Sequence, residues 1–163
     1  MMSELVQHRL AAMARGLGWE QFDGLSVRTG ARTITEADIV AFITAAGFTE
    51  SLFLDARAAA ELGYAGRLVP GALTWSYSEG LVVQSGILKE TGLALLGVQL
   101  SIKKPVFAGD TISVVVEGVS VKPTSRGRGI VETRHSVRNQ NDDEVLVYNP
   151  IRLVAPSDPN DME

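Results

Sequence analysis

The second half of the chain alternates between apolar and polar residues. Four segments, 93–107, 111–122, 129–140 and 144–155, show this alternation or are rich in β-branched residues, and each is therefore predicted to be a strand. The stretches between them, "AGD", "PTSRGR" and "NQNDD", are short and contain turn-forming residues. Because short connections favour antiparallel neighbours, the pattern predicts a meander.

The first half of the chain has helical spacing after one predicted strand at 25–34. "TEAD" begins a helix in which Thr35 and Asp38 can form a capping box, and Gly47 is a suitable C-terminal cap. Asp55 can cap a second, short helix in "ARAAAEL". These local signals predict two helices before the central part of the chain.

The segment 71–88 is long enough for about five helical turns. Its apolar side chains are spread around the helix axis, which is typical of a helix enclosed by other structure. A curled antiparallel sheet of about five strands around this central helix accounts for the order of the elements. The predicted fold is therefore α+β, with the architecture known as the hot-dog fold.

The chain of 163 residues is predicted to form one domain over 1–155. Its N-terminal part, 1–20, is predicted to be a helical extension, because apolar residues recur there at helical spacing. The polar tail 156–163 contains two prolines and is expected to be disordered.

Composition excludes several classes of site. There is no cysteine, so disulfides and thiolate metal sites are excluded, and the two histidines, His8 and His135, are too far apart in sequence to suggest a metal centre. The net charge of -4 and the scattered basic residues give no reason to expect nucleic acid as a partner. No apolar run approaches the ~20 residues of a membrane span or resembles a signal peptide, so a cytoplasmic protein is expected.

Four stretches carry a family resemblance that covers roughly residues 25–155. They are "TITEADIVAFITAAG", "GFTESLFLD", "GRLVPGALTWS" and "KKPVFAGDTI", and together they resemble the MaoC-like dehydratases, or (R)-specific enoyl-CoA hydratases. The resemblance implies a hydro-lyase of fatty acid metabolism that needs no cofactor and takes a coenzyme A thioester as its ligand. It also implies a dimer formed by joined sheets, with the acyl site at the interface.

The loop "GFTESLFLD" departs from the family pattern, which is typically G-D-x-N-P-x-H-x-D. With Gly47 and Asp55 on the first and last family positions, Phe48 occupies the place of the catalytic Asp and Phe53 that of the catalytic His. A phenyl ring has no titratable proton, whereas acid–base groups contribute ~10²–10⁴-fold to a rate. The ordinary hydratase mechanism is therefore not expected in this chain.

The resemblance also places Gly71 on the glycine whose amide hydrogen-bonds the thioester carbonyl. A helix N-terminus presents free N–H groups to such an oxygen, although a well-made helix start needs no ligand. Glu79, about two turns later, resembles the acidic residue of some hot-dog thioesterases; the alternative is that it faces a solvent gap or pairs with Arg67 or another cation. Glu50, in the loop, is a further catalytic candidate, with a solvated loop carboxylate as the alternative.

Other residues have simpler expected roles. His135 lies in an alternating strand and is expected to be exposed, on the face opposite to Val131 and Val137. Lys103 and Lys104, or the basic turn 125–129, can meet phosphates but are equally suited to solvent. The residues expected to contact the substrate are Phe48, Thr49, Phe53, Val69 and Ala72.

Three functional hypotheses are open. The first is a MaoC-like protein that binds acyl-CoA without ordinary hydratase activity, as a homodimer or as the partner of an active MaoC-like subunit in a hetero-oligomer. The second is a thioesterase or atypical hydratase that uses Glu79 or Glu50 with the Gly71 amide. The third is a non-catalytic homodimer with a structural or regulatory role.

Overall fold

The computed structural model describes residues 15–162. The predicted N-terminal helix at 1–20 lies mostly outside the described residues, and Trp19–Phe22 forms a short 3-10 turn. Four α-helices follow: α1 (Glu36–Ala46), α2 (Ser51–Leu54), α3 (Ala56–Glu61) and α4 (Gly71–Gln84). The strands are β1 (Ser26–Arg28), β2 (Arg32–Thr33), β3 (Gly92–Ile102), β4 (Thr111–Pro123), β5 (Gly129–Arg138) and β6 (Glu144–Val154).

The strands form one antiparallel sheet in the order β1-β4-β5-β6-β3, and β2 pairs with β4. The predicted four-strand meander is confirmed for β4, β5 and β6, but it is wrong for β3, which pairs with β6 instead of with β4, the next strand along the chain. The sheet has six strands rather than about five, because the predicted first strand is split in two. The split occurs at the buried Thr29. There the Val114 amide donates to the Thr29 hydroxyl at 3.0 Å, rather than to a backbone carbonyl of the neighbouring strand.

The helix caps predicted from the sequence are confirmed. The Thr35 hydroxyl accepts a hydrogen bond from the Asp38 amide at 3.2 Å, and Asp38 Oδ2 accepts one from the Thr35 amide at 2.8 Å. Gly47 ends α1 with a φ of 74°, which a residue with a side chain adopts only at a cost. Asp55 begins α3 by accepting a hydrogen bond from the Arg57 amide at 2.9 Å.

The central helix α4 is shorter than the predicted 71–88. It ends at Gln84 because Gly86 has a φ of 80°, which turns the chain away from the helix axis. Ile87 and Leu88 continue the apolar pattern of the sequence, but they pack on the core from the turn that follows the helix. The buried side chains of α4 are those of Leu73, Thr74, Ser78, Leu81 and Val82.

The chain ends of the described part lie against each other. Pro156 is buried, the Ser157 amide donates to Glu20 Oε1 at 2.8 Å, and Pro159–Met162 forms a 3-10 turn. Within residues 15–162, no helix is long and apolar enough to cross a membrane.

Candidate functional site

The loop between α1 and α3 carries two phenylalanines, Phe48 and Phe53. Phe48 packs on Phe42 with ring centroids 5.3 Å apart and on Phe53 at 5.9 Å. Both loop phenylalanines are half-buried against the main core. Thr49 and Glu50 are exposed, and Glu50 precedes α2 without capping it through its side chain. The loop therefore contributes apolar surface rather than proton-transfer groups.

A cavity of about 320 Å³, here called the Gly71 cavity, lies at the N-terminus of α4. Of the residues predicted to contact the substrate, Phe53 and Val69 line it; Phe48, Thr49 and Ala72 are not among its lining residues within the described part of the chain. The remaining walls are formed by Tyr64, Leu68, Gly71, Thr74, Ile102, Lys103, Lys104, Pro105, Val106, Val145 and Leu146.

The start of α4 is held firmly beside this cavity. The Val69 amide donates to the Val106 carbonyl at 2.9 Å, which ties the segment before the helix to the strand connection opposite it. Gly71 is the first helical residue, so its N–H group has no intrahelical acceptor. A Cβ atom at position 71 would meet the Cδ1 atom of Ile102, the end of an exposed side chain that can move aside. The amide is thus positioned to donate to an oxygen atom in the cavity.

The lysines at the mouth of the Gly71 cavity have different environments. Both Lys103 and Lys104 are exposed, and the Lys104 ammonium lies 2.7 Å from a carboxylate oxygen of Asp143. The basic turn 125–129 lies elsewhere, between β4 and β5, where Trp19 Nε1 donates to the Gly127 carbonyl at 2.9 Å. Positive charge therefore borders the cavity mainly at Lys103, because Asp143 offsets the charge of Lys104.

Glu79 lies on the sheet-facing side of α4 and forms an ion pair with Arg152 of β6. Arg67, the cation named from the sequence, instead contacts Glu36 at 3.2 Å. The side chain of Arg152 is only 9% exposed, so the pair is largely removed from solvent. The second carboxylate oxygen of Glu79 lies 3.7 Å from His135 Nδ1.

The expectation that His135 is exposed is wrong, since its side chain is 1% exposed. Residues 131, 135 and 137 are separated by even numbers of positions, so His135 faces the same side of β5 as Val131 and Val137. Its Nε2 atom is 2.8 Å from the hydroxyl of Thr133. Burial, and then the charge of Arg152, lower the pKa of His135 to about 3, so the imidazole is neutral near pH 7. The contact with Glu79 is therefore not an ion pair.

Tyr148 completes the cluster under α4. Its ring is fully buried, with its centroid 4.5 Å from that of His135 and 6.5 Å from that of Trp75. Burial, then the charge of Glu79 and a hydrogen bond to the Glu79 carboxylate, raise the pKa of the hydroxyl. Sequence reasoning missed Tyr148 and Arg152, although their even spacing on β6 puts them on one face.

A second cavity, of about 570 Å³, opens beside this cluster and is here called the Glu79 cavity. Its charged lining residues are Arg152, which is buried, Glu79, whose side chain is 25% exposed, and the exposed Lys89. Within residues 15–162, Gly71 and Glu79 line different cavities, so they do not face one shared space in a single protomer. The other lining residues are Val83, Gln84, Gly86, Leu88, Lys89, Gly92, Leu93, Ala94 and Leu95.

Solved structures share this architecture. A putative MaoC domain protein dehydratase from Chloroflexus aurantiacus J-10-fl is 26% identical with a TM-score of 0.82; the match covers 89% of this chain and 42% of that one. An (R)-hydratase from A. caviae involved in PHA biosynthesis is 26% identical with a TM-score of 0.62, over 82% and 95% of the two chains. A conserved hypothetical protein from Mycobacterium tuberculosis with a double hotdogfold matches at 21% identity and a TM-score of 0.74, over 89% and 46%.

The chain thus spans less than half of the Chloroflexus and Mycobacterium proteins that it matches. No curated protein matches it significantly. The family profile described as MaoC like domain matches residues 23–141, which is more than half of the chain and includes the loop, the start of α4 and the meander up to β5. The chain therefore has the hot-dog fold and belongs to the MaoC-like dehydratase domain family.

Proposed function

We propose that this MaoC-like chain binds an acyl thioester in the Gly71 cavity and does not hydrate it through the family loop. The observation that carries the proposal is the free Gly71 amide at a cavity that Phe53 also lines. A helix N-terminus directs an N–H group and partial positive charge at the carbonyl oxygen of a thioester. The apolar walls suit an acyl chain.

The absence of hydration follows from the groups around the cavity. Among the lining residues of the described chain there is no carboxylate and no imidazole; Tyr64, Thr74 and the two lysines are the only side chains with exchangeable protons. Without a positioned acid and base, water addition to an enoyl thioester loses the ~10²–10⁴-fold that such groups contribute. Lys103 and Lys104 are suited to the phosphates of coenzyme A as point charges.

The test measures ligand binding and turnover on the same protein. We expect hexanoyl-CoA to raise the melting temperature, because it binds only the folded state, and we expect crotonyl-CoA not to be hydrated. The double variant Lys103→Ala/Lys104→Ala should weaken hexanoyl-CoA binding several-fold, whereas the exposed Lys122→Ala should not. Robust hydration, or a melting temperature unchanged by hexanoyl-CoA, contradicts the proposal; the second outcome favours a structural or regulatory role.

The alternative of a thioesterase or atypical hydratase finds less support. Glu79 and Gly71 line different cavities of one protomer, and Glu50 is exposed on the loop. Hydrolysis of hexanoyl-CoA that is lost in Glu79→Gln or in Glu50→Gln would support this alternative.

We further infer that two copies join along their β3 edges. Segment 92–102 contains no charged residue, and β3 pairs only with β6 among the strands of the described chain. An uncharged, apolar edge of this kind is otherwise a site of aggregation. Six of its large apolar side chains are exposed: Leu93, Leu95, Leu96, Val98, Leu100 and Ile102.

Light scattering tests this pairing. The pure chain should have the mass of a dimer, and Val98→Lys should shift it to a monomer, while Val119→Lys, at an exposed position on β4, leaves the mass unchanged. A monomeric wild-type chain that associates only with an active MaoC-like subunit would replace the homodimer by a hetero-oligomer.

A further inference from the structure

The Gly71 cavity has an exposed mouth and an enclosed floor. The mouth is formed by the exposed residues 102–105, which follow one another along the chain and include both lysines. The floor consists of lining residues that are each no more than 4% exposed: Val69, Thr74, Val106, Val145 and Leu146. A ligand whose charged carrier stays at the lysines therefore has its acyl chain inside the cavity.

One wall of the cavity is a phenylalanine ring with further rings behind it. Phe42, Phe48 and Phe53 pack in a row, with centroids 5.3 Å apart for the first pair and 5.9 Å for the second. Phe53 is the member of this row that lines the cavity. The floor residues Val145 and Leu146 belong to β6, which is hydrogen-bonded between β5 and β3. The extent of the cavity on the Phe53 side is thus decided by side chains rather than by the sheet.

The volume of the cavity restricts the length of an enclosed chain. Its size, about 320 Å³, is at the low end of the range for ligand pockets. At roughly 30 Å³ for each non-hydrogen atom, which is the share of one molecule in liquid water, it holds about ten such atoms. That is the size of an octanoyl thioester group, and a dodecanoyl group exceeds it.

We propose that the Gly71 cavity takes acyl thioesters of up to about eight carbons and that Phe53 sets this limit. The inference rests on the proposed thioester function and adds which acyl chains the site accepts. A longer chain meets the ring of Phe53, which has no room to retreat because Phe48 and Phe42 are packed behind it. The proposed β3-edge dimer would cover Ile102 at the mouth, whereas Phe53 lies on α2, so pairing of the strands leaves this wall in place.

The experiment measures affinity against chain length by calorimetry. Hexanoyl-, octanoyl-, decanoyl- and dodecanoyl-CoA are titrated into the full-length protein, each below the concentration at which it forms micelles. A methylene that becomes buried contributes about fourfold in affinity, so octanoyl-CoA should bind about tenfold more tightly than hexanoyl-CoA. From octanoyl-CoA to dodecanoyl-CoA the affinity of the wild-type protein should not increase further.

Variants in the row of rings test whether Phe53 sets the limit. Phe53→Ala extends the cavity as far as Phe48, so dodecanoyl-CoA should bind it about tenfold more tightly than octanoyl-CoA does, as expected for roughly two further buried methylenes. Phe53→Leu removes fewer atoms and should give a smaller increase in the same direction; it also serves if Phe53→Ala does not fold. Phe42→Ala truncates a ring of the same row that is separated from the cavity by the other two, and it should keep the wild-type pattern.

Three results would overturn the proposed limit. The wild-type affinity continues to rise up to dodecanoyl-CoA, both Phe53 variants keep the wild-type pattern, or Phe42→Ala changes the pattern as much as Phe53→Ala does. If hexanoyl-CoA binds in any of these cases, the thioester proposal stands and the limit alone is wrong. If no member of the series binds the wild-type protein, the thioester proposal itself fails, and the limit fails with it.

Discussion

The two cavities of this domain lie near opposite ends of the same edge strand and differ in chemistry. The Gly71 cavity reaches Ile102 at the end of β3, and among its described lining residues there is no carboxylate. The Glu79 cavity reaches Leu93 at the start of β3 and ends at a largely buried ion pair. The described lining of the Gly71 cavity therefore offers no carboxylate, while the ion pair of the Glu79 cavity lies about two helical turns further along α4.

This difference implies that the two cavities depend on different forces. At the Gly71 cavity, Phe53, with Phe48 packed on it, contributes packing, which is non-directional and tolerant of small changes. Around the Glu79 cavity, the fold depends on charges that have lost their water and therefore need their partners. Substitutions that remove single polar groups should thus have their largest effects at the second cavity.

The largest effect on stability is expected from removing the cation of the Glu79–Arg152 ion pair. Arg152→Met leaves the Glu79 carboxylate under the helix without its counter-charge, and we expect a loss of about 3 kcal/mol or more in the free energy of unfolding. Urea denaturation measures this loss, and the slope of the transition shows whether the variant still unfolds in one step.

Two further variants control this measurement. Arg134→Met makes the same exchange at a side chain that is 37% exposed, and it should cost less than about 1 kcal/mol. Glu79→Leu/Arg152→Met removes both charges and should recover most of the loss. If Arg152→Met costs no more than Arg134→Met, the ion pair is well hydrated and the two cavities do not differ as argued.

The neutral imidazole of His135 gives a second, pH-dependent way to sharpen the comparison. Its pKa is about 3 in the fold against 6.5 for an ordinary histidine, so between these pH values only the unfolded chain takes up the proton. The stability that His135 confers is therefore complete above about pH 6.5 and is lost as the pH falls towards 3. Between about pH 7 and pH 5 the expected loss is about 2 kcal/mol, which urea titrations at several pH values will measure.

Two matched variants, one at each histidine of the sequence, test whether His135 causes this pH dependence. His135→Asn should remove this pH dependence, and His8→Asn should retain it. The carboxylates with lowered pKa, Asp38 among them, lose their contribution only at lower pH and do not affect this window. A stability that stays constant from pH 7 to pH 5 in the wild type would show that His135 titrates normally.

Much of the fold follows from local signals. The capping box of Thr35 and Asp38 and the left-handed Gly47 act within a few residues of chain, so the sequence predicts the helix that they bound. Local signals also explain why the sequence predicts the end of α4 too late. Ile87 and Leu88 continue the apolar pattern, while Gly86 turns the backbone away from the helix. Apolar spacing alone does not contain that change of direction.

The candidate site is predictable only in part. Family spacing places Phe53 and Gly71 in one site, and the structure has both on one cavity. The cluster of His135, Tyr148 and Arg152 depends on strand register, in which His135 of β5 lies opposite Tyr148 of β6, and register is not a local property. Counting positions on β5 would nevertheless have placed His135 on the buried face.

The smallest expected effect tests the single hydrogen bond that the Gly71 cavity offers. Pro70 has φ -54° and ψ 134°, a conformation compatible with a following proline, and proline is tolerated at the first position of a helix. Gly71→Pro and Gly71→Ala both add a Cβ atom beside Ile102, but only the proline removes the N–H group. By calorimetry, Gly71→Pro should bind hexanoyl-CoA about 2–10-fold more weakly than Gly71→Ala, as expected for one hydrogen bond to a neutral carbonyl.

The thioether hexyl-CoA separates this hydrogen bond from packing, because it has the same chain and carrier but no carbonyl oxygen. The two Gly71 variants should bind it equally, since the Cβ atom that they share is then their only relevant change. A proline variant that loses affinity for both ligands would show that the backbone, not the N–H group, had been disturbed. Equal affinity of both variants for both ligands would mean that the Gly71 cavity selects by packing alone, and the contrast with the charge-dependent Glu79 cavity would then be complete.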